Sequence, residues 1–407
     1  MVAAVAQNGY AHTTIKQLVS LAGVSRSTFY KLFADKEQCF LATYDVIATM
    51  ATERISRAYR AQGDWREQLH AAFDCFAEIV TEERDASHLV LVDALGAGHR
   101  MLEHRERMVG QFELMFRQSF ARAPEEAIVS DTTIYAIVAG IRRVAYRRLL
   151  AGEPERLGEV LEDLLAWAIG YHAPGVEAPL RPPVVTPEGS PHLHQALKDT
   201  TIPALDPVQA RGTLTHRERI LSAVVSLASE GGYGALSMPA ISARAGISNE
   251  AFYENFTDKQ HAFLTAFDEA TQRALGPTAQ AFAAAPSWPA AAHAAITALL
   301  EHGVTDHVFA RLAFFEILTG GPAAIDRAER SMDTFATMLT PGFQEHPHVP
   351  EVVGEAIIGA LWNVIQREVG YGRSSRLPEL APELTYITLT PFLGAEEAAR
   401  IAMNPAG

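Results

Sequence analysis

The sequence predicts an all-α fold made by tandem duplication, and three observations carry that expectation. The first is an ungapped repeat. The segment from Gly9 to Asp45 matches the segment 223 positions later, Gly232 to Asp268, at 13 of 37 positions, where unrelated segments of average composition share about two. The second is periodicity, because apolar residues in both copies recur three and four apart, as they do along one face of a helix. The third is punctuation: Gly23 and Gly246 interrupt that pattern at the same place in each copy, and glycine commonly ends a helix in a left-handed turn.

In the first copy, Ile15, Leu18, Val19 and Ala22 form the apolar stripe of a short helix, with Thr13 or Thr14 before it as the N-cap, whose hydroxyl satisfies a free backbone N–H. Beyond the Gly23 turn, Ser25 is placed to cap a second helix, Arg26 to Leu32. On it Phe29 and the following Phe33 lie four apart and share a face, which leaves Arg26, Ser27, Thr28, Tyr30 and Lys31 largely on the other. Asp35-Lys36-Glu37-Gln38 then reads as a capping-box-like start, Asp as cap and Gln at the third helical position, to a long helix through Phe40, Leu41, Tyr44 and Ile47. Two short helices around a glycine turn, the second displaying polar residues, make a helix-turn-helix.

Ala22-Gly23-Val24-Ser25, Phe29-Tyr30, Phe33 and Asp35-Lys36 resemble the DNA-binding domain of the TetR family of bacterial repressors. The resemblance implies that Thr14, Lys16, Tyr30 and Lys36 bind phosphate while Arg26, Ser27, Thr28 and Lys31 face bases. In the second copy it implies equivalent roles for Ser237, Tyr253 and Lys259. The cap serines Ser25 and Ser248, together with Asn249, complete the set of DNA-facing residues.

The correspondence continues past the helix-turn-helix. Leu89 to Gly98, Glu106-Arg107 and Phe112 keep the offset of 223, while Ala136 to Ile141, Val144, Arg147 and Leu157 recur 220 positions later, from Ala356 to Leu377. The predicted domains are a first helix-turn-helix domain at 1–48, a helical body at 49–171, a Pro-rich linker at 172–213, a second helix-turn-helix domain at 214–270 and a second body at 271–407. Eight prolines between residues 174 and 207 break any helical pattern in the linker, which at about 40 residues spans up to ~100 Å or more. In the family the last two helices of each subunit form the dimer, here Glu125 to Leu150 with Glu155 to Tyr171, and Pro350 to Tyr371 with the segment after Arg376. Pairing within the chain as a pseudo-dimer and pairing between chains as a homodimer are both open to this sequence.

The two readers differ in charge. Ser25 to Phe33 carries Arg26 and Lys31 and no acid, whereas Ser248 to Phe256 carries Glu250 and Glu254 and no base. Phosphate repulsion weakens the second reader, although Asn249 suits adenine and a Glu accepts from cytosine N4. They differ in length too. The first helix of the second unit is expected from about Thr215 to Glu230, with Ile220, Leu221, Val224 and Leu227 buried, but Met1 stands opposite Val224. Either the reading frame begins upstream of Met1 or the first reader is less stable than its charge suggests.

A net charge of -14 over 407 residues, with 48% hydrophobic and 20% charged residues, describes an ordinary globular chain and leaves DNA binding to local charge. No secretory signal or bilayer-length apolar run is present. Cys39 and Cys75 form no close pair, which fits a reducing cytoplasm; the expected location is cytoplasmic, nucleoid-associated when bound. The partners expected are double-stranded operator DNA and a small-molecule inducer of unknown identity, with no cofactor, no membrane and no metal. His99, Glu103 and His104, or His302, Asp306 and His307, are suitable metal donors by type, but without a second cluster they read as solvated or capping residues. Phe73, Phe76, Phe112 and Phe116, with Phe309, Phe314, Phe315 and Phe335, read as core, with a ligand cavity the alternative. Catalytic motifs such as a G-x-S-x-G elbow, a phosphate loop or a zincin pair are absent, so the function expected is a ligand-responsive regulator. The alternative is an adaptor that has lost DNA binding.

Overall fold

The computed structural model describes residues 1–97, 99–176, 179 and 214–404, apart from the side chains of residues 99, 102, 103, 307 and 308. The Pro-rich linker expected at 172–213 therefore lies almost wholly outside the described residues, as do the side chains of His99, Glu103 and His307. Every regular element described is helical. In the first repeat these are α1 (Val2–His12), α2 (Ile15–Ala22), α3 (Arg26–Leu32), α4 (Lys36–Arg60), α5 (Trp65–Glu82), α6 (Arg84–Leu91), α7 (His99–Arg122), α8 (Asp131–Ala151) and α9 (Leu161–Ile169). The second repeat supplies α10 (His216–Gly231), α11 (Met238–Ala245), α12 (Asn249–Tyr253), α13 (Lys259–Ala284), α14 (Trp288–Thr305), α15 (His307–Phe314), α16 (Pro322–Ala336), α17 (Thr340–Glu345), α18 (Glu351–Gly370), α19 (Ala381–Leu393) and α20 (Ala395–Met403). Among the described residues no helix is long and apolar enough to cross a membrane.

The helix starts follow from their caps. Thr14 makes a full capping box with Gln17, its hydroxyl accepting from Gln17 N at 3.3 Å while Gln17 Oε1 accepts from Thr14 N at 2.8 Å. Thr13 turns inward and donates to Gly9 O at 2.8 Å. Asp35 caps α4 by accepting from Gln38 N, but Gln38 Oε1 takes its bond from Ala34 N rather than from the cap residue, so the box expected there is only half made. In α10 the pairing of Thr215 with Glu218 is complete. Gly23 and Gly246 stand at φ 65° and 63° in the left-handed region, which a side chain would disfavour.

The chain gathers into two compact units. One comprises Met1–Pro183, Phe343–Val364 and Tyr386–Met403; the other comprises Val184–Gly342, Ile365–Thr385 and Asn404–Gly407. The first unit thus contains parts of α18 and α19, which belong to the second sequence repeat. Inside it α8 packs against the start of α18 closely enough that a β-carbon on Gly140 would meet the Ala356 carbonyl oxygen at 2.7 Å, and one on Gly359 would strike the Arg143 side chain. Arg148 pairs with Glu355 at 3.1 Å, and the buried Tyr171 hydroxyl donates to Ile387 O at 2.8 Å.

The first helix-turn-helix is joined to its body by shared core. Val5 of α1, with Phe40, Leu41 and Tyr44 of α4, packs with Leu89 of α6 and Met101 of α7. The expected boundaries at 48/49 and 270/271 fall inside α4 and α13, because each of these long helices buries one end in the reader and the other in the body.

Candidate DNA-reading sites

In the first reader the apolar side of α3 is anchored and its polar side is free. Phe29 is buried with Ala4, Leu18 and Cys39, and Phe33 packs on this cluster with its ring 5.5 Å from that of Phe29. Arg26, Ser27, Thr28, Tyr30 and Lys31 are all exposed, Tyr30 to 56%. Ser25 accepts from Thr28 N at 3.0 Å and its hydroxyl meets that of Thr28 at 2.9 Å. Thr14 and Lys16 at the start of α2 are exposed as well. The expected phosphate- and base-facing residues of this reader, Lys36 apart, therefore lie on its open surface, with Ser25 and Thr14 doubling as helix caps.

Lys36 is placed differently. Its ammonium donates to Tyr10 O at 2.8 Å and Ala11 O at 3.4 Å, and it stands 4.4 Å from the centre of the Tyr10 ring. The carbonyls are those of the turn that follows the kink in α1 at Gly9 (φ 69°), and the ring adds a cation–π contact. Burial lowers the Lys36 ammonium below its ordinary range and pushes the Tyr10 phenol up to about 12, with Glu37 and Asp35 adding to the rise. The repeat reproduces the arrangement: Lys259 donates to Leu236 O at 2.9 Å over Tyr233, 4.5 Å away. In both units the lysine from the family motif ties the start of the long helix to the stretch just before the second helix.

The second reader has the same frame and the opposite charge. Phe252 and Phe256 are buried, their rings 5.8 Å apart, and Ser248 caps by accepting from Ala251 N at 3.1 Å. Ser237 caps α11 in the same way. Asn249, Glu250, Tyr253 and Glu254 are exposed, with Glu254 at the place of Lys31, Asn249 at that of Arg26 and Glu250 at that of Ser27. Its frame is also better closed. Arg219 on α10 is buried and donates to Ala245 O at 2.9 and 2.6 Å and to Gly246 O, which covers the turn. In the first reader, Leu21, Val24 and Leu32 are 54%, 42% and 67% exposed.

The sequence reading missed the ion pairs that connect reader to body. Asp45 on α4 meets His104 on α7 at 2.6 Å, and Asp268 on α13 meets Arg327 on α16 at 2.8 Å, the same pair 223 positions on. His88 and Asp93 lie 2.8 Å apart, and their counterparts Arg311 and Glu316 lie 2.9 Å apart, buried. The identity of Asp45 with Asp268 was the available signal. Of the metal-donor types, His104 is therefore paired with Asp45, while Asp306 caps α15 by accepting from Phe309 N and pairs with Arg273. Among the described residues no three His, Cys, Asp or Glu side chains converge as a metal site.

The family model for bacterial regulatory proteins of the tetR family matches residues 2–43 and 220–265. No curated protein matches the chain. A solved structure, the fatty acid degradation regulator FadR from Bacillus halodurans, is 16% identical over 45% of this chain and 100% of that one, with a TM-score of 0.40, a likeness that decides neither arrangement nor ligand.

Proposed function

The chain belongs to the TetR family of bacterial regulatory proteins, with two TetR-like units in tandem, and from that premise we propose that it is a ligand-responsive repressor whose two units pair within one chain. DNA binding is led by the first reader. The observation that carries this reading is the surface of α3, where Arg26, Ser27, Thr28, Tyr30 and Lys31 are all exposed on a helix anchored from behind by Phe29 and Phe33. An arginine there can grip guanine O6 and N7 in the major groove, and the cations gain from counterion release. The acidic face of α12 opposes phosphate, so the operator expected has two unlike half-sites about one helical turn apart.

Pairing within the chain is supported by the first compact unit, in which α8 and α9 meet α18 and α19 through Arg148–Glu355 and Tyr171–Ile387. A ligand that favours a state with the readers off groove spacing would release the operator. It acts only through its differential affinity for the two states, and a near-complete switch requires about 5.5 kcal/mol. The pairs Asp45–His104 and Asp268–Arg327 are suited to transmit such a change, since each joins the long reader helix to a body helix.

Footprinting on the DNA upstream of the chain's own reading frame tests the reading, using wild type, Lys31→Glu and a Glu250→Ala/Glu254→Ala variant. Protection lost in Lys31→Glu and kept in the double variant is the expected result. Absence of salt-sensitive DNA binding from all three would favour the adaptor instead.

A further inference from the structure

Helices α4, α5, α6, α7 and α8 of the first body surround two adjoining cavities of about 50 and 70 Å³, which share Ile55, Phe76, Phe112 and Arg142 in their walls. Of the eleven residues lining the smaller one, ten are apolar, and the remaining one is Arg142. Among the described residues, the Arg142 guanidinium has no hydrogen-bond or ion-pair partner. Burial pulls it below its ordinary range and the charge of Arg105 adds to the effect, yet an arginine remains protonated in proteins. The nearby carboxylate Glu106 is engaged by Arg105 at 4.0 Å and by the Tyr135 hydroxyl at 3.2 Å. Arg142 is partly exposed, and its side chain forms part of the walls of both cavities.

The duplication shows that the fold does not require this cation. At the offset of 220, Arg142 corresponds to Trp362, and at the offset of 223, Arg105 corresponds to Ala328. The second body is built on the same plan with neither cation. What Arg142 does is therefore particular to the first cavity, and a guanidinium facing apolar walls matches one chemistry above others. Its planar fork accepts a carboxylate through two parallel hydrogen bonds, and the aromatic lining accepts an apolar body.

We propose that this cavity takes a small amphipathic monocarboxylate, with its carboxylate on Arg142 and its apolar part against Phe73, Phe76, Phe112 and Phe116. The site deepens the reading of the chain as a ligand-responsive regulator and rests on that reading only for its regulatory consequence. A monoanion is preferred over a phosphate because the smaller cavity offers no second donor to a dianion. The second body, with Trp362 in place of the arginine, lacks this specificity, so a carboxylate acts through one half of the chain.

The test is calorimetric titration of the full chain with phenylacetate and hexanoate against their neutral isosteres phenylacetamide and hexanamide. Wild type should bind at least one acid at least about tenfold more tightly than its amide, the discrimination expected of one charge-assisted hydrogen-bonded pair. Arg142→Gln should abolish that preference and Arg142→Lys should keep part of it, while thermal melts establish that each variant is folded. If the Gln variant does not fold, the acid-to-amide ratio in wild type and in Arg142→Lys decides. Equal binding of acid and amide by wild type, an acid preference that survives Arg142→Gln, or no binding of any of the four compounds would overturn the proposal. Carboxylate binding by a chain that shows no salt-sensitive DNA binding would support the site and defeat the regulatory reading; DNA binding without carboxylate uptake would do the reverse.

Discussion

His104 Nδ1 lies 2.6 Å from the Asp45 carboxylate, and 223 positions on Arg327 holds Asp268 at 2.8 Å. Each pair crosses from the long reader helix to a body helix, so the duplication has preserved a mechanical link while exchanging its basic partner. Burial raises the Asp268 carboxyl above its usual range despite the attraction of Arg327, and desolvation therefore offsets part of what the pair contributes. Double-mutant cycles by urea denaturation should give a coupling of about 0.5–1 kcal/mol for each pair, as for partly exposed ion pairs. Additive effects at both pairs would show that neither links reader to body.

Lys36 and Lys31 are expected to separate structure from DNA contact. Lys36→Met removes a donor from the end of α1 and should lower stability by about 1 kcal/mol, with the salt dependence of DNA binding little changed. Lys31→Gln, at an exposed position of α3, should leave stability within about 0.5 kcal/mol of wild type and reduce the salt slope by about 1. A Lys36→Met variant of full stability with a reduced slope would assign this lysine to phosphate.

Gly359→Val should disrupt the packing of α8 against α18, since even a β-carbon there collides with the Arg143 side chain. A loss of about 1–3 kcal/mol is expected from overpacking, measured by thermal or urea unfolding. Gly110→Ala is the control, because nothing lies within 4 Å of a β-carbon at that position.

His172 makes the stability of the fold depend on pH. Its ring stacks 5.2 Å from Trp65 and 5.3 Å from Phe120, and burial lowers its pKa in the folded state. The unfolded chain therefore takes up a proton first as pH falls through about 6.5. The contribution of this residue to stability is complete above that value and is lost on acidification through the lower folded-state pKa. Urea midpoints measured from about pH 7.5 to 5 should fall less steeply in His172→Phe, which keeps the stacking and removes the titration. An unchanged slope would exclude His172 as a source of acid sensitivity.

Arg219→Met should destabilise the second reader by about 1–3 kcal/mol, because it leaves the Ala245 and Gly246 carbonyls without their donor in a buried place. Hydrogen exchange of α11 and α12 amides would register the loss locally.

The frame of both readers was legible residue by residue. Ser25 and Ser248 cap where their spacing places them, Phe29 with Phe33 and Phe252 with Phe256 form the predicted faces, and Gly23 with Gly246 turn left-handed. These are local features, decided within one or two helical turns. The resemblance assigns Lys36 to phosphate, whereas its engagement with Tyr10 and Ala11 depends on a segment about 25 residues away. Arg142 is silent in the sequence for the same reason: its neighbours say nothing about which walls of a bundle it meets.

By itself, then, the sequence determined the helices, the duplication, the TetR-type readers and the opposite charges of their exposed faces. Helical period, capping chemistry and repeat identity are properties of short stretches of chain. The tertiary structure decided which polar groups are spent inside the fold. It put Lys36 and Lys259 on carbonyls, joined Asp45 to His104, gathered α8 and α9 with parts of α18 and α19, and left Arg142 facing an apolar cavity. Those outcomes depend on contacts between segments distant in sequence, where burial and geometry, rather than residue type, set the partner of a charge.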